Sequence, residues 1–184
     1  MLSVPEIAAG LTGAWRLAHF DGGGMAYFDR TVEGFWRSFR VAVLVAPAFA
    51  LLVYFHLLDS PATAGPARIV LVEGIAYVIG WVAFPLAVVH LARFVDRDAE
   101  VIGFVVAYNW STILQMAVFL PVAALGAGGL ANFLGVAATL AILAYEWFIA
   151  RTALRLGGAA AAGVVAVDIA LGVLISAVAD RMIA

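Results

Sequence analysis

The stretch Val105–Phe119, VVAYNWSTILQMAVF, decides the fold. It lies inside a much longer apolar run without a single charge, yet it carries Tyr108, Asn109, Ser111, Thr112 and Gln115. On a helix, Tyr108, Ser111, Thr112 and Gln115 fall at offsets of 0, 3, 4 and 7 and form one narrow stripe, with Asn109 at its edge. A stripe, unlike a scatter, marks a membrane helix with one face turned away from lipid. Trp110 projects to the other side and is expected to face outward.

The composition agrees with a membrane setting. Hydrophobic residues make up 66% of the 184-residue chain and charged residues 12%, and mean hydropathy is +1.09. Soluble domains hold about 45–50% apolar and about 25% charged residues. A span needs about 20 mainly apolar residues, and five segments qualify: 41–58, 69–92, 101–126, 130–150 and 159–179. The expected fold is therefore an all-α polytopic bundle of five transmembrane helices over residues 41–184, preceded by an amphipathic lead-in over residues 1–40. The weakest break is at Gly128 and Gly129, where Pro121 and LGAGGL favour a tight turn between two full spans.

All ten basic residues are arginine. Eight of them (Arg16, Arg30, Arg37, Arg40, Arg93, Arg97, Arg151 and Arg155) share one side of a five-span topology, leaving Arg68 and Arg181 on the other. The positive-inside rule then expects a cytoplasmic N-terminus and an outer C-terminus. With no signal-peptide pattern at the start and a composition typical of GC-rich coding, the expected location is a bacterial cytoplasmic membrane.

In the lead-in, SVPE at 3–6 is a capping box with Pro5 in the first turn, so a helix is expected to run to about His19. DGGG at 21–24 ends it. Phe28, Val32, Phe35, Trp36 and Phe39 share one helical face, opposite Arg30, Glu33, Arg37 and Arg40. Phe28, Phe35, Trp36 and Phe39, with Arg37 and Arg40, are the expected interfacial anchor. The aromatic face lies either in the headgroup layer or on the bundle itself.

Other spans carry stripes too. Glu73, Tyr77 and Trp81 align in the second span, Asn132, Gly135, Thr139 and Glu146 in the fourth, and Asp168, Gly172 and Ser176 in the fifth. Glu73, Glu146 and Asp168 stand inside spans that hold no interior arginine, and a charge at mid-bilayer costs at least about 2.5–3.5 kcal/mol. Asp168 is thus expected to sit uncharged and to donate a hydrogen bond, with Gln115 or Thr139 as partner. Ala162, Ala166 and Ala170 offer the small-residue spacing for close helix approach. In the charged loop 93–100, Asp96, Asp98 or Glu100 can meet Arg30 or Arg37.

Chemistry-bearing motifs are missing. Cysteine is absent, the three histidines do not converge, and no phosphate loop or nucleophile elbow is legible. No metal, cofactor or catalytic residue is expected, and a net charge of −2 gives no reason to expect a nucleic-acid partner.

The segment FDRTVEGFWRSF before the first span and the polar YNWS of the third give a layout that resembles the small bacterial members of the Yip1-domain family. That resemblance implies membrane organisation and trafficking, not catalysis. Two functional readings follow. One is a non-enzymatic scaffold or accessory subunit that works through homo-oligomers or other membrane subunits, with Phe104, Trp110 and Trp147 as lipid or subunit contacts. The other is a small proton, cation or solute transporter that uses the intramembrane polar residues.

Overall fold

The computed structural model describes residues 2–184. Its α-helices are α1 (Val4–Ala18), α2 (Val32–Ser38), α3 (Val41–Asp59), α4 (Pro66–Phe94), α5 (Val101–Ala123), α6 (Gly129–Ala153) and α7 (Gly158–Ile183), and there is no strand among the described residues. The last five are long and apolar enough to cross a membrane, within a few residues of the expected spans. The fold is an all-α membrane bundle. The glycines before α6 and α7, Gly128 and Gly157, begin those helices without a side-chain cap.

The lead-in starts as its sequence dictates. Ser3 Oγ accepts from the Glu6 amide, and the Glu6 carboxylate accepts from the Ser3 amide at 2.9 Å. The DGGG segment ends α1 and enters a 3-10 turn over Gly22–Tyr27, with Asp21 Oδ1 accepting from the Gly23 amide at 2.8 Å. Two glycines allow α1 to lie flat on its neighbours. A Cβ at Gly10 would sit 2.3 Å from the Trp110 ring, and one at Gly24 would sit 2.6 Å from the Gly13 carbonyl oxygen.

The long amphipathic helix expected from Phe28 is shorter than its periodicity suggests. Thr31 caps α2 through Gly34, so the helix covers only Val32–Ser38. Phe28 lies outside it, buried against Gly13 of α1, and is part of the core rather than an interfacial anchor. The inward residues of α2 are Gly34 and Ser38. Phe35 meets Trp36 and Phe39 edge to face, with Trp36 67% exposed. Arg37 turns inward and pairs with Glu6, Asp29 and Glu33, while Arg40 interacts with Glu6. Arg93 pairs with Asp98 in its own loop. The expected link from that loop to Arg37 is therefore replaced by closer acids in the lead-in. Arg30 and Glu100 line one cleft without an ion pair.

The centre of the molecule is α5. It packs against α1, α2, α3 and α6, while α6 packs on α7 and α7 on α4. The lead-in shares the bundle's core: Ala14, Leu17 and Phe28 cluster with Phe104, Val105, Trp110 and Ile149. Tyr145 on α6 donates to the Ala14 carbonyl at 2.8 Å. This corrects the expectation for the aromatics. Phe104 and Trp110 are 2% and 6% exposed, because the lead-in covers the side of α5 that a five-helix bundle alone would leave to lipid. Trp147 is half-buried and donates to the Gly158 carbonyl.

On α7 the buried residues are Ala161, Val164 and Val165, then Ala179 and Ile183. The Ala162, Ala166 and Ala170 row is exposed and faces outward. Val164 and Val165, beside that row, are the buried residues instead.

Candidate functional site: a polar slot between four spans

Although α3 and α4 are consecutive, they barely touch. The first packs on α5 and the second on α7, which leaves a slot between them. The slot has a volume of about 440 Å³. Its walls combine four stripes: His56 from α3; Glu73, Tyr77 and Trp81 from α4; Tyr108, Asn109, Thr112 and Gln115 from α5; and Gly172, Ser176 and Asp180 from α7. Phe49, Leu52, Val53, Met116 and Ile175 supply an apolar lining between the polar positions.

The end nearest the lead-in is closed. Tyr77 donates to the Ala42 carbonyl at 2.5 Å and its ring meets Phe49. Below it, Asn109 Nδ2 donates to Ser38 Oγ of α2 at 2.9 Å. The far end carries His56, whose Nε2 lies 3.5 Å from Asp180 Oδ1. Glu73 has both as electrostatic neighbours and forms no hydrogen bond among the described residues. His56, Ser176 and Asp180 are exposed, so this end is open.

The intramembrane network is only partly cross-bonded. The Tyr108 hydroxyl donates to Asp168 Oδ2 at 2.8 Å, joining α5 to α7. Asp168 thus accepts, and its partner is Tyr108 rather than Gln115 or Thr139. Ser111 and Thr112 both turn back onto the Tyr108 carbonyl, at 2.6 and 3.3 Å. Such back-bonding satisfies a hydroxyl within its own helix. Gln115 reaches Ser111 at 3.4 Å and lies beside Glu146, which is buried and has Asp168 as a neighbour.

Thr139 does not belong to this network. It is exposed, and its hydroxyl donates to the Gly135 carbonyl at 2.9 Å. The inward positions of α6 are Ala138, Ile142, Tyr145, Glu146 and Ile149, a quarter-turn off the row through Asn132, Gly135 and Thr139. A threonine satisfied by its own helix can face lipid at little cost, so its polarity did not report its direction.

Sequence reasoning placed Glu73, Tyr108, Asn109, Thr112 and Gln115 on inward stripes, and these line the slot. Ser111, Glu146 and Asp168 are behind or beside it. His56 and Asp180 were missed as a pair, although both stand at span ends that adjacent topology brings to one side. Ser38 was missed because a serine on a short helix carries no periodic signal.

Among the described residues no three histidines or acids are placed to hold a metal ion. Comparison with family models, with curated proteins and with solved structures finds no match.

Proposed function

We propose that the chain is a non-enzymatic membrane protein that takes a small polar or cationic solute into its slot, as a small transporter does, with its arginine-rich end toward the cytoplasm. One observation carries this reading. Hydrogen-bonded glue would leave the stripes bonded to one another across helices. Here Ser111 and Thr112 bond to their own backbone, Glu73 has no hydrogen-bond partner among the described residues, and the space between the stripes is open. Polar surface left unspent in a membrane is costly unless water or a solute meets it.

Under this reading Tyr108, held by Asp168 beside the slot, gates the closed end, with Gln115 on the slot wall and Glu146 behind it. His56, Glu73 and Asp180 form the mouth. Five spans do not need to enclose a pore, because the slot is a pocket that opens at one end.

The scaffold reading keeps one supporting observation. Trp36 and the α7 alanine row are exposed faces on which a second copy or another subunit can pack. The Yip1-domain resemblance belongs with this second reading and rests on the residues quoted for it alone.

The test is solute-coupled proton flux in proteoliposomes. Wild type should carry flux above empty liposomes, and Asp168→Asn should abolish it while retaining thermal stability in detergent, since the amide keeps size and hydrogen bonding but cannot take up a proton. A wild type indistinguishable from empty liposomes across a panel of small cations contradicts the reading.

A further inference from the structure

The arginine-rich end of the bundle holds a second cleft, of about 610 Å³, apart from the slot. Three elements build it: Gly22 and Arg30 of the lead-in, Glu100 and Gly103 at the start of α5, and Thr152 and Arg155 at the end of α6. The cleft therefore stands where two spans, 98–123 and 129–153, end. Trp147, in the last two turns of α6, marks the same level, with the Arg151 guanidinium 5.2 Å from its ring. Tryptophan at a span end belongs to the headgroup layer.

Arg16, Arg37 and Arg93 at this end are ion-paired. Arg30 and Arg155 differ: both are exposed, and neither has an ion pair or side-chain hydrogen bond among the described residues. Their positions are nevertheless set. The Arg30 stem crosses the bare backbone of Gly103, where an added Cβ would sit 3.1 Å from Arg30 Cδ. Arg155 is the left-handed residue that ends α6, with φ of 53°, and the Leu156 amide beyond it donates to the Arg151 carbonyl at 3.1 Å. Glycine fills that position most readily, so the helix end itself has no need of an arginine.

Thr152 adds a third donor. Thr12, Thr112 and Thr139 each donate to the carbonyl four residues back. Thr152 does not. Its methyl faces Gly22, where a Cβ would lie 3.2 Å away, and its hydroxyl keeps accessible surface with no partner among the described residues.

Two guanidinium groups and a hydroxyl around one cleft suit the oxygens of a phosphate. Glu100 is the only acid among the lining residues and pairs with neither arginine. The cleft is left with one net positive charge, which a phosphodiester of one negative charge balances.

We propose that this cleft binds the phosphodiester of an anionic phospholipid headgroup, with Arg30 and Arg155 on its oxygens and Thr152 donating a further hydrogen bond. The site is independent of the slot and of the solute that the slot carries.

The experiment is native mass spectrometry of the full chain in a neutral maltoside detergent. The probes are dioctanoyl phosphatidylglycerol, phosphatidylcholine and phosphatidylethanolamine. Phosphatidylglycerol should bind at least tenfold more tightly than either zwitterionic lipid, and inorganic phosphate in large excess should not displace it.

Four variants locate the site. Arg30→Gln and Arg155→Gly should each weaken phosphatidylglycerol at least tenfold. Arg155→Gly also relieves the left-handed position, so its thermal midpoint without lipid should hold or rise, which separates lost binding from lost folding. Glu100→Gln removes the one repulsive charge and should tighten binding at least threefold, a gain that unfolding does not produce. Arg97→Gln, at the same end but outside the cleft, should change nothing.

Equal affinity for a zwitterionic lipid removes the charge selection and overturns the assignment. Displacement by inorganic phosphate overturns it in favour of a soluble anion. An equal loss in Arg97→Gln reduces it to the diffuse positive field of this end of the bundle.

Discussion

The Tyr108 hydroxyl donates to Asp168 Oδ2 at 2.8 Å across the interface of the third and fifth spans. This bond sets how the slot closes. It leaves Asp168 beside the slot instead of in it and holds the Tyr108 ring against Phe84 and Phe104. Tyr108→Phe removes the donor and keeps the ring. It should lower stability by about 1–3 kcal/mol, because Asp168 loses its partner in a part-buried site. Thermal unfolding in detergent measures it; an unchanged midpoint would show that the bond is not formed in the membrane protein.

The lead-in should depend on close glycine contact. Gly10→Ala places a Cβ 2.3 Å from the Trp110 ring, so α1 must lift or Trp110 must leave its rotamer, at about 1–3 kcal/mol. Gly74→Ala, on α4, meets nothing within 4 Å and is the control. The pair is compared by thermal unfolding, and equal midpoints would contradict the docking of α1 on α5.

Acid should loosen the same segment. The Ser3 backbone and hydroxyl, then Arg37 and Arg40, hold the Glu6 carboxyl below its usual range. Thr31 and then Arg37 do the same for Asp29. A carboxyl depressed in the folded state contributes stability that is complete above its unfolded value near pH 4 and is lost as pH falls through the lower folded value. The protection factors of the α1 amides, taken relative to intrinsic exchange at each pH, should therefore be high at pH 7 and at pH 5 and fall near pH 3. Protection that persists at pH 3 would show that these carboxyls do not hold the lead-in.

Trp36 tests where the lead-in meets the bilayer. With the other four tryptophans replaced, its emission should shift to the blue on reconstitution into membranes, as expected where an exposed indole at the lead-in meets the headgroup layer. Emission of a water-exposed indole in membranes would refute that placement.

Much of this fold was legible because membrane spans write their length and their polar stripes directly into sequence. The five helices, the Ser3 capping box and the inward stripe from Tyr108 to Gln115 follow from periodicity and capping chemistry. Three features did not. Phe28 continues the period of α2, but Thr31 caps the helix first, and local capping won over periodicity. Trp110 looked lipid-facing because nothing in its own helix reveals that α1 brings Gly10 against it. Thr139 looked inward because a hydroxyl bonded to its own backbone can point either way. His56 and Asp180 are 124 positions apart, and only the packing of the first and last spans around the slot joins them.

The most direct measurement of the central claim is cysteine accessibility along the slot, made simple by the absence of native cysteine. Ala76→Cys and Ser176→Cys place thiols on the slot wall, while Val78→Cys and Val173→Cys place them on the lipid-facing sides of the same two helices. In intact membranes an impermeant, water-soluble thiol reagent applied from the side opposite the lead-in should label the first pair and spare the second, and Gly172→Leu should suppress labelling of the slot pair. Equal protection of all four positions would mean that the stripes close on one another in the bilayer, and the slot would then be packing and not a site.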